Sequence, residues 1–262
     1  MIGSKDKYAL VTGASSGIGY ELAKRFAKDG KNIVVVARRQ DRLDQLKRDI
    51  ENDYRTKVVV LAKDLSKPNS PQEIFTQLEQ QNINIDVLVN NAGYSVFGTF
   101  SQTELQRELD MIQVNITSLT NLTKLFLKKM LDDKSGKILN VSSGVGFYSA
   151  PLMAVYASTK AYVLHFSEAL ADELKGTGVT VTCLFPDATK TEFWERANAG
   201  RSRATRAMED PAKTAENGYR ALEKGRKFIL SGSLMNRLAP ITVRIAPRSF
   251  IVRSCKYFLE QV

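Results

Sequence analysis

Short continuous apolar runs alternate along this chain with longer stretches whose apolar residues recur every three or four positions. The first run, Lys7–Thr12 (KYALVT), is followed from Gly17 by Ile18, Leu22, Ala23 and Phe26 at helical spacing. Similar runs occupy Asn32–Ala37 (NIVVVA), 57–62 (KVVVLA), 85–89 (IDVLV), 137–141, Val179–Phe185 and 227–230. They are continuous rather than alternating, as strands buried on both faces are, and amphipathic segments separate them. The pattern predicts an α/β fold: one doubly wound parallel sheet of about seven strands flanked by helices. Neither an internal repeat nor a low-complexity linker divides the chain. The least regular part, 187–210, is rich in Arg, Ala and Thr and reads as a mobile substrate loop or lid.

Composition narrows the field. At 262 residues, 43% hydrophobic and 25% charged, the chain is too apolar for disorder and fits one large domain. Its two cysteines, Cys183 and Cys255, match no metal spacing and build no disulfide framework, which points to a reduced, cytoplasmic setting. With His165 as the single histidine, zinc hydrolases and Ser-His-Asp chemistry are set aside, and no metal site is expected. The N-terminus passes from Lys5-Asp6-Lys7 straight into the first apolar run, so no signal peptide is expected. Residues 138–159 lack charge but carry asparagine, hydroxyl residues, glycines and Pro151, too polar for a membrane span.

After the first strand the chain reads Thr12-Gly13-Ala14-Ser15-Ser16-Gly17-Ile18-Gly19 and enters a helix. Glycines there let backbone N–H groups approach a pyrophosphate seated at the positive helix end. The turn predicts a Rossmann-type nucleotide site bounded by Gly13, Ser15, Ser16, Gly17, Ile18 and Gly19. An acid at the end of the second strand would favour NAD, whereas this chain has Ala37-Arg38-Arg39. Arg38 can grip a phosphate in bidentate fashion with Arg39 assisting, so NADP(H) is the expected cofactor. Two solvated arginines are the competing reading.

Later segments complete a pattern. Asn90-Asn91-Ala92-Gly93 follows the fourth strand, Asn115 lies in a helix, Ser143 follows the fifth strand, and Tyr156-Ala157-Ser158-Thr159-Lys160 comes thirteen residues later. In this order, with the glycine turn, the chain resembles the classical short-chain dehydrogenase/reductase family from about residue 7 to 230. The resemblance implies a tetrad: Tyr156 as acid/base, Lys160 as its activator, Ser143 as oxyanion stabiliser and Asn115 as relay. It also implies cofactor contacts from Asp64, Leu65, Asn91, Ala92, Gly93, Tyr156, Lys160, Pro186 and Thr191. A turn carboxylate is the alternative for Asp64. Physical reasoning supports the pair at the centre. Tyr156 and Lys160 are four apart on one helix face, and the ammonium, with the positive nicotinamide of the oxidised complex, is expected to lower a phenol pKa that is otherwise about 10. One departure stands out, because the family usually has Pro-Gly where this chain has Pro186-Asp187. Asp187→Gly is therefore expected to leave NADPH binding unchanged or tighter.

Three further features remain. His165 is off the Tyr156-Lys160 face and reads as a core or subunit contact. Phe193 and Trp194 are either a cap over an apolar substrate or anchors of the irregular segment. Finally, the net charge of +10 is concentrated at the end: residues 201–262 hold 13 basic and 5 acidic residues. Without interleaved aromatics or a recognition motif, nucleic acid is not the expected partner. Residues 1–230 are expected to form the catalytic domain and 231–262 a basic amphipathic extension, interrupted by Pro240 and Pro247. Such an extension can pack across a subunit interface or over the substrate pocket, lie on an anionic membrane, or meet an acidic partner. It is similar to the tail of short-chain oxidoreductases of the DltE type. The expected activity is reversible NADPH-dependent reduction of a ketone or aldehyde, on an apolar, 3-oxoacyl or steroid-like substrate, by a homodimer or homotetramer. The alternative is a non-catalytic NADP(H) sensor or scaffold.

Overall fold

The computed structural model describes residues 7–200 and 202–260. The expected absence of a signal peptide concerns a start that lies largely outside them. Seven strands, β1 (Lys7–Thr12), β2 (Asn32–Ala37), β3 (Val58–Ala62), β4 (Asn84–Asn90), β5 (Gly136–Val141), β6 (Val179–Phe185) and β7 (Phe228–Leu230), form one sheet in the order 3-2-1-4-5-6-7. Every pairing is parallel. The order reverses between β1 and β4, and a crevice opens there at the carboxyl ends of the strands.

Successive side chains of a strand feed opposite layers. In β1, Ala9 and Val11 join a cluster with Leu22 and Phe26 of α1 (Gly17–Lys28) and Leu222 of α8 (Pro211–Glu223). Tyr8 and Leu10 instead join Ile74 of α3 (Ser70–Gln80) and Phe126 of α5 (Leu119–Asp132). This is why the runs are continuously apolar: both faces of the sheet are covered. The remaining early helices are α2 (Gln40–Asp53) and α4 (Leu105–Ile112), and α4 runs through a π-helical turn, Gln113–Ser118, into α5. A long helix α6 (Ala154–Glu173) precedes β6.

Segment 187–210, expected to be a mobile loop, carries regular and buried structure among its described residues. It contains α7 (Phe193–Arg196), a parallel bridge between Thr189 and Glu209, and buried Ala197, Ala199 and Ser202. Pro240 does not interrupt the extension, since it sits inside α9 (Leu234–Ile245); only Pro247 does, opening α10 (Arg248–Leu259). A proline within the helix removes one backbone hydrogen bond, and the N-terminal end of α9 is held by side chains described below. No helix among the described residues is long and apolar enough to cross a membrane.

Candidate active site

The crevice is the mouth of a cavity of about 940 Å³ running from the glycine turn to α9 and α10. At its inner end Gly13, Ser15, Ser16, Gly17 and Ile18 line the wall. Gly17 has φ of +59°, and a Cβ there would lie 2.8 Å from Thr191 Cγ2, so only glycine lets Thr191 close on the turn. Gly19, expected at the cofactor, lies behind the wall, packed against the Asn91 amide and the Gly13 carbonyl. Asn91 in turn donates from Nδ2 to Thr12 O at 2.8 Å, and Thr12 Oγ1 accepts from the backbone N–H groups of Asn91 and Ala92 at 3.0 Å each. Thr12 thus locks the turn to the end of β4, a role sequence reading did not assign.

The two arginines after β2 behave differently. Arg38 is exposed at the cavity wall and makes no hydrogen bond or ion pair among the described residues. Arg39 is already engaged. It donates to Ser15 O and Ser15 Oγ at 3.2 Å each and pairs with Glu192 at 2.9 Å. Glu192 also binds Arg196 and Ser16. Burial would raise the Glu192 carboxyl, but the hydrogen bond from Arg39 and the charge of Arg196 hold it below the usual range. Asp64 lines the cavity while one oxygen accepts from Ser66 N at 3.0 Å, so the turn-carboxylate alternative holds for that oxygen. Leu65, Ala92, Gly93 and Pro186 complete this part of the wall.

Ser143, Tyr156 and Lys160 meet midway along the cavity. Ser143 precedes a short 3-10 turn, Gly144–Phe147, whose Val145 N–H donates to Ser143 Oγ at 3.4 Å. Its neighbour Ser142 is buried and donates to Lys160 O at 2.8 Å, so of the two serines only Ser143 has its hydroxyl at the Tyr156 phenol. One turn along α6, Lys160 Nζ lies 5.7 Å from the Tyr156 ring centre and donates to Val141 O at 2.9 Å.

Electrostatics correct one expectation. Burial pushes the Tyr156 phenol up rather than down, opposed by its hydrogen bond with Ser143. Burial likewise pushes the Lys160 ammonium down to about 8. Desolvation disfavours the charged form of each in the protein alone. At neutral pH the phenol is therefore the proton-bearing form, and the amine still mostly charged.

Asn115 lies in the π-helical turn, where a widened helix commonly marks a functional position. It is buried behind the cavity wall. Its Nδ2 donates to Tyr94 O at 3.1 Å and Thr159 Oγ1 at 3.0 Å, and its Oδ1 accepts from Tyr94 N at 3.2 Å. A Cβ on Gly93 would be 3.0 Å from Asn115 Oδ1 and 3.3 Å from Lys160 Nζ, so the two side chains flank that glycine. The resemblance's relay is thus represented by proximity and not by a direct bond. His165 is exposed on α6, which overturns the core reading for it.

The family model described as short chain dehydrogenase matches residues 7–202. The chain belongs to the short-chain dehydrogenase family. Its members are oxidoreductases acting on CH–OH and C=O groups with a nicotinamide cofactor. A very-long-chain 3-oxoacyl-CoA reductase from Bos taurus is 37% identical over 193 residues, 71% of this chain and 61% of that protein. The chain therefore spans less than two thirds of such relatives. Among solved structures, a short-chain dehydrogenase from Sphingobium yanoikuyae in complex with NADPH is 30% identical with a TM-score of 0.83, covering 94% of this chain and 95% of that one. A bulky-bulky ketone specific alcohol dehydrogenase from Comamonas testosteroni is 29% identical with a TM-score of 0.77, covering 90% and 91%.

Beyond the family match, the outer cavity is roofed in part by α9 and α10. Asn236 of α9 is buried and donates to Phe185 O at 3.1 Å and Ser231 O at 2.7 Å, with its side-chain oxygen against Gly144. A Cβ on Gly144 would collide with that oxygen, so the residue after Ser143 must be glycine for α9 to close. Asp187 points away from the glycine turn: Oδ2 accepts from Ser233, the N-cap of α9, and Oδ1 from Ala188 N at 2.8 Å. Phe193 rests on Tyr156, ring centres 5.4 Å apart, and Trp194 meets Phe193 edge-on at 5.5 Å. Both line the cavity. The aromatic pair thus lines the cavity while anchoring the segment on Tyr156.

Proposed function

We propose that the protein is an NADPH-dependent carbonyl reductase that reversibly converts an apolar ketone or aldehyde to an alcohol. The observation that carries this is the meeting of the Ser143 and Tyr156 hydroxyls in one cavity, between the glycine turn and an apolar roof. The donor set fits the cofactor. Backbone N–H groups of the turn suit a pyrophosphate, unengaged Arg38 suits a 2′-phosphate, and Asp64, Leu65, Asn91, Ala92 and Gly93 line the adjoining wall. When bound, NADPH supplies the hydride from its nicotinamide.

Ser143 holds the carbonyl oxygen by a hydrogen bond that strengthens as negative charge develops there. Tyr156 gives that oxygen its phenolic proton, so the carbonyl becomes an alcohol, and the ammonium of Lys160 steadies the phenolate until solvent reprotonates it. Asn115 positions the wall by fixing Tyr94 and Thr159 on either side of it. Phe193 over Tyr156 keeps water from the phenol. Val145, Met153, Ala239, Ile251 and Leu259 give the outer chamber its apolar lining, which favours 3-oxoacyl or steroid-like substrates. The bulky ketone named for the Comamonas neighbour supports the same substrate size.

The reading includes a reduced cytoplasmic setting and a homodimer or homotetramer built through the helices around Asn115 and Tyr156. Exposed Leu105 and Leu109 on α4, and His165 on α6, supply contact surface for it. NADPH oxidation across a panel of carbonyls tests the activity. Tyr156→Phe is expected to lower turnover by about 10²- to 10⁴-fold while leaving NADPH binding within a few fold. Tight NADPH binding with no turnover of any panel member would instead favour a sensor or scaffold.

A further inference from the structure

Helix α9 presents two opposite faces that both need covering. Asn236 and Ala239 are buried toward the protein, with Val243 half-buried on the same side. Leu234, Leu238, Ile241 and Ile245 follow one another at spacings of four, three and four, which sets them in a single stripe on the far side. They are 71%, 41%, 56% and 77% exposed. At 1.5 Å per residue the stripe is about 17 Å long. Arg237 and Arg244 flank it, both exposed. α10 repeats the arrangement, with Cys255 and Leu259 buried and Phe250, Arg253 and Tyr257 facing outward. Apolar side chains scattered singly over a surface need no partner, whereas a continuous stripe with a basic margin marks a contact.

Charge selects the occupant. Residues 231–262 contain Arg237, Arg244, Arg248, Arg253 and Lys256 against one acid, Glu260. That acid lies 3.8 Å from Lys256. A second copy meeting this face about a two-fold axis would set the same cationic rim against itself. An anionic bilayer accepts both components, apolar side chains at the acyl boundary and arginines among the headgroups. A third observation concerns the cavity. Met235, Phe250 and Phe258 line it and are also exposed, so its lining reaches the surface beside this face.

We propose that α9 and α10 dock the protein on an anionic membrane surface, with the Leu234–Leu238–Ile241–Ile245 stripe in the lipid. The cavity then opens onto the bilayer, and an apolar substrate dissolved there reaches Tyr156 without crossing water. That second consequence rests on the reductase reading; the docking does not.

Flotation of the full chain with vesicles tests it, using phosphatidylcholine alone and phosphatidylcholine enriched in phosphatidylglycerol. The protein floats with the anionic vesicles and stays behind with the neutral ones. Ile241→Asp with Ile245→Asp lowers the bound fraction at least about tenfold, and Arg237→Gln with Arg244→Gln lowers it by about fivefold per arginine. All four positions are exposed, and circular dichroism verifies that the variants are folded. Equal recovery with both vesicle types, or binding unchanged in the isoleucine variant, overturns the proposal. So does light scattering that finds a dimer split into monomers by the isoleucine substitutions, since the stripe is then a subunit interface. Vesicle binding is read without substrate, so its failure leaves the reductase proposal standing, and absent turnover leaves the docking proposal standing.

Discussion

Asp187 reaches from the end of β6 to the first residues of the extension, where its carboxylate accepts from both the backbone N–H of Ser233, at 3.0 Å, and the Ser233 hydroxyl. Ser233 Oγ in turn accepts from Asn236 N at 3.2 Å and so caps α9. The carboxylate that stands where the family usually has glycine thus holds the roof. Asp187→Gly should cost about 1–3 kcal/mol of stability through lost charge-assisted bonds and raise the KM for the carbonyl substrate. NADPH affinity should stay level or improve. Thermal melts, substrate kinetics and cofactor titration on one variant separate these effects; a loss confined to NADPH affinity would contradict the assignment.

Glu192 is paired with Arg39 and would compete for it with a cofactor phosphate placed there. Replacing it with Gln keeps the shape and removes the negative charge, so NADPH should bind about three- to tenfold more tightly, with NADH affected less. Arg38→Ala should act the opposite way, weakening NADPH by about tenfold or more while sparing NADH. Fluorescence titration of both cofactors against both variants reads the difference. Equal effects on NADPH and NADH would show that neither residue senses the 2′-phosphate.

With Lys160 near 8 and the Tyr156 phenol raised, the amine is the first of the pair to lose its proton as pH rises. Reductive kcat/KM should therefore be level below about pH 8 and fall above it with the slope of one proton. Stability carries the opposite sign. An unfolded lysine titrates near about 10.4, so between the two values the unfolded chain binds more protons, and the strain of burying this ammonium is relieved as pH rises. The melting-temperature difference between Lys160→Met and the parent should shift toward the parent from pH 7 to pH 10. A pH-independent difference would place the amine elsewhere on the scale.

Gly144→Ala tests the coupling between roof and serine. Its methyl meets the buried Asn236 amide, so either α9 is displaced or Ser143 is. Turnover should fall by about tenfold or more with NADPH binding intact, and protease cleavage within residues 231–260 should become faster. Unchanged turnover would mean that the loop yields without moving the hydroxyl.

Much of this was legible from residue order because it depends on local pattern. The seven strands lie within a residue or two of their expected positions, since buried parallel strands are continuously apolar. Ser143, Tyr156 and Lys160 share the cavity because helix periodicity and a fixed spacing bring them together. What escaped notice depends on distant pairs. Nothing near Asp187 announces Ser233, and nothing near Gly144 announces Asn236, because each partner arrives from a segment about ninety or fewer residues away whose docking periodicity alone does not specify. Gly19 was expected at the cofactor and Asn115 in a relay to Lys160 by motif, but their positions behind the wall depend on packing. The raised phenol of Tyr156 depends on burial, a collective property of Phe193, Ser143 and the surrounding wall.

The chamber's ceiling is made from residues of 234–259, whereas Ser143, Tyr156 and Lys160 sit on elements far earlier in the chain. Substitutions confined to that ceiling should therefore change which molecules are admitted while the proton donor and its companions stay as they are.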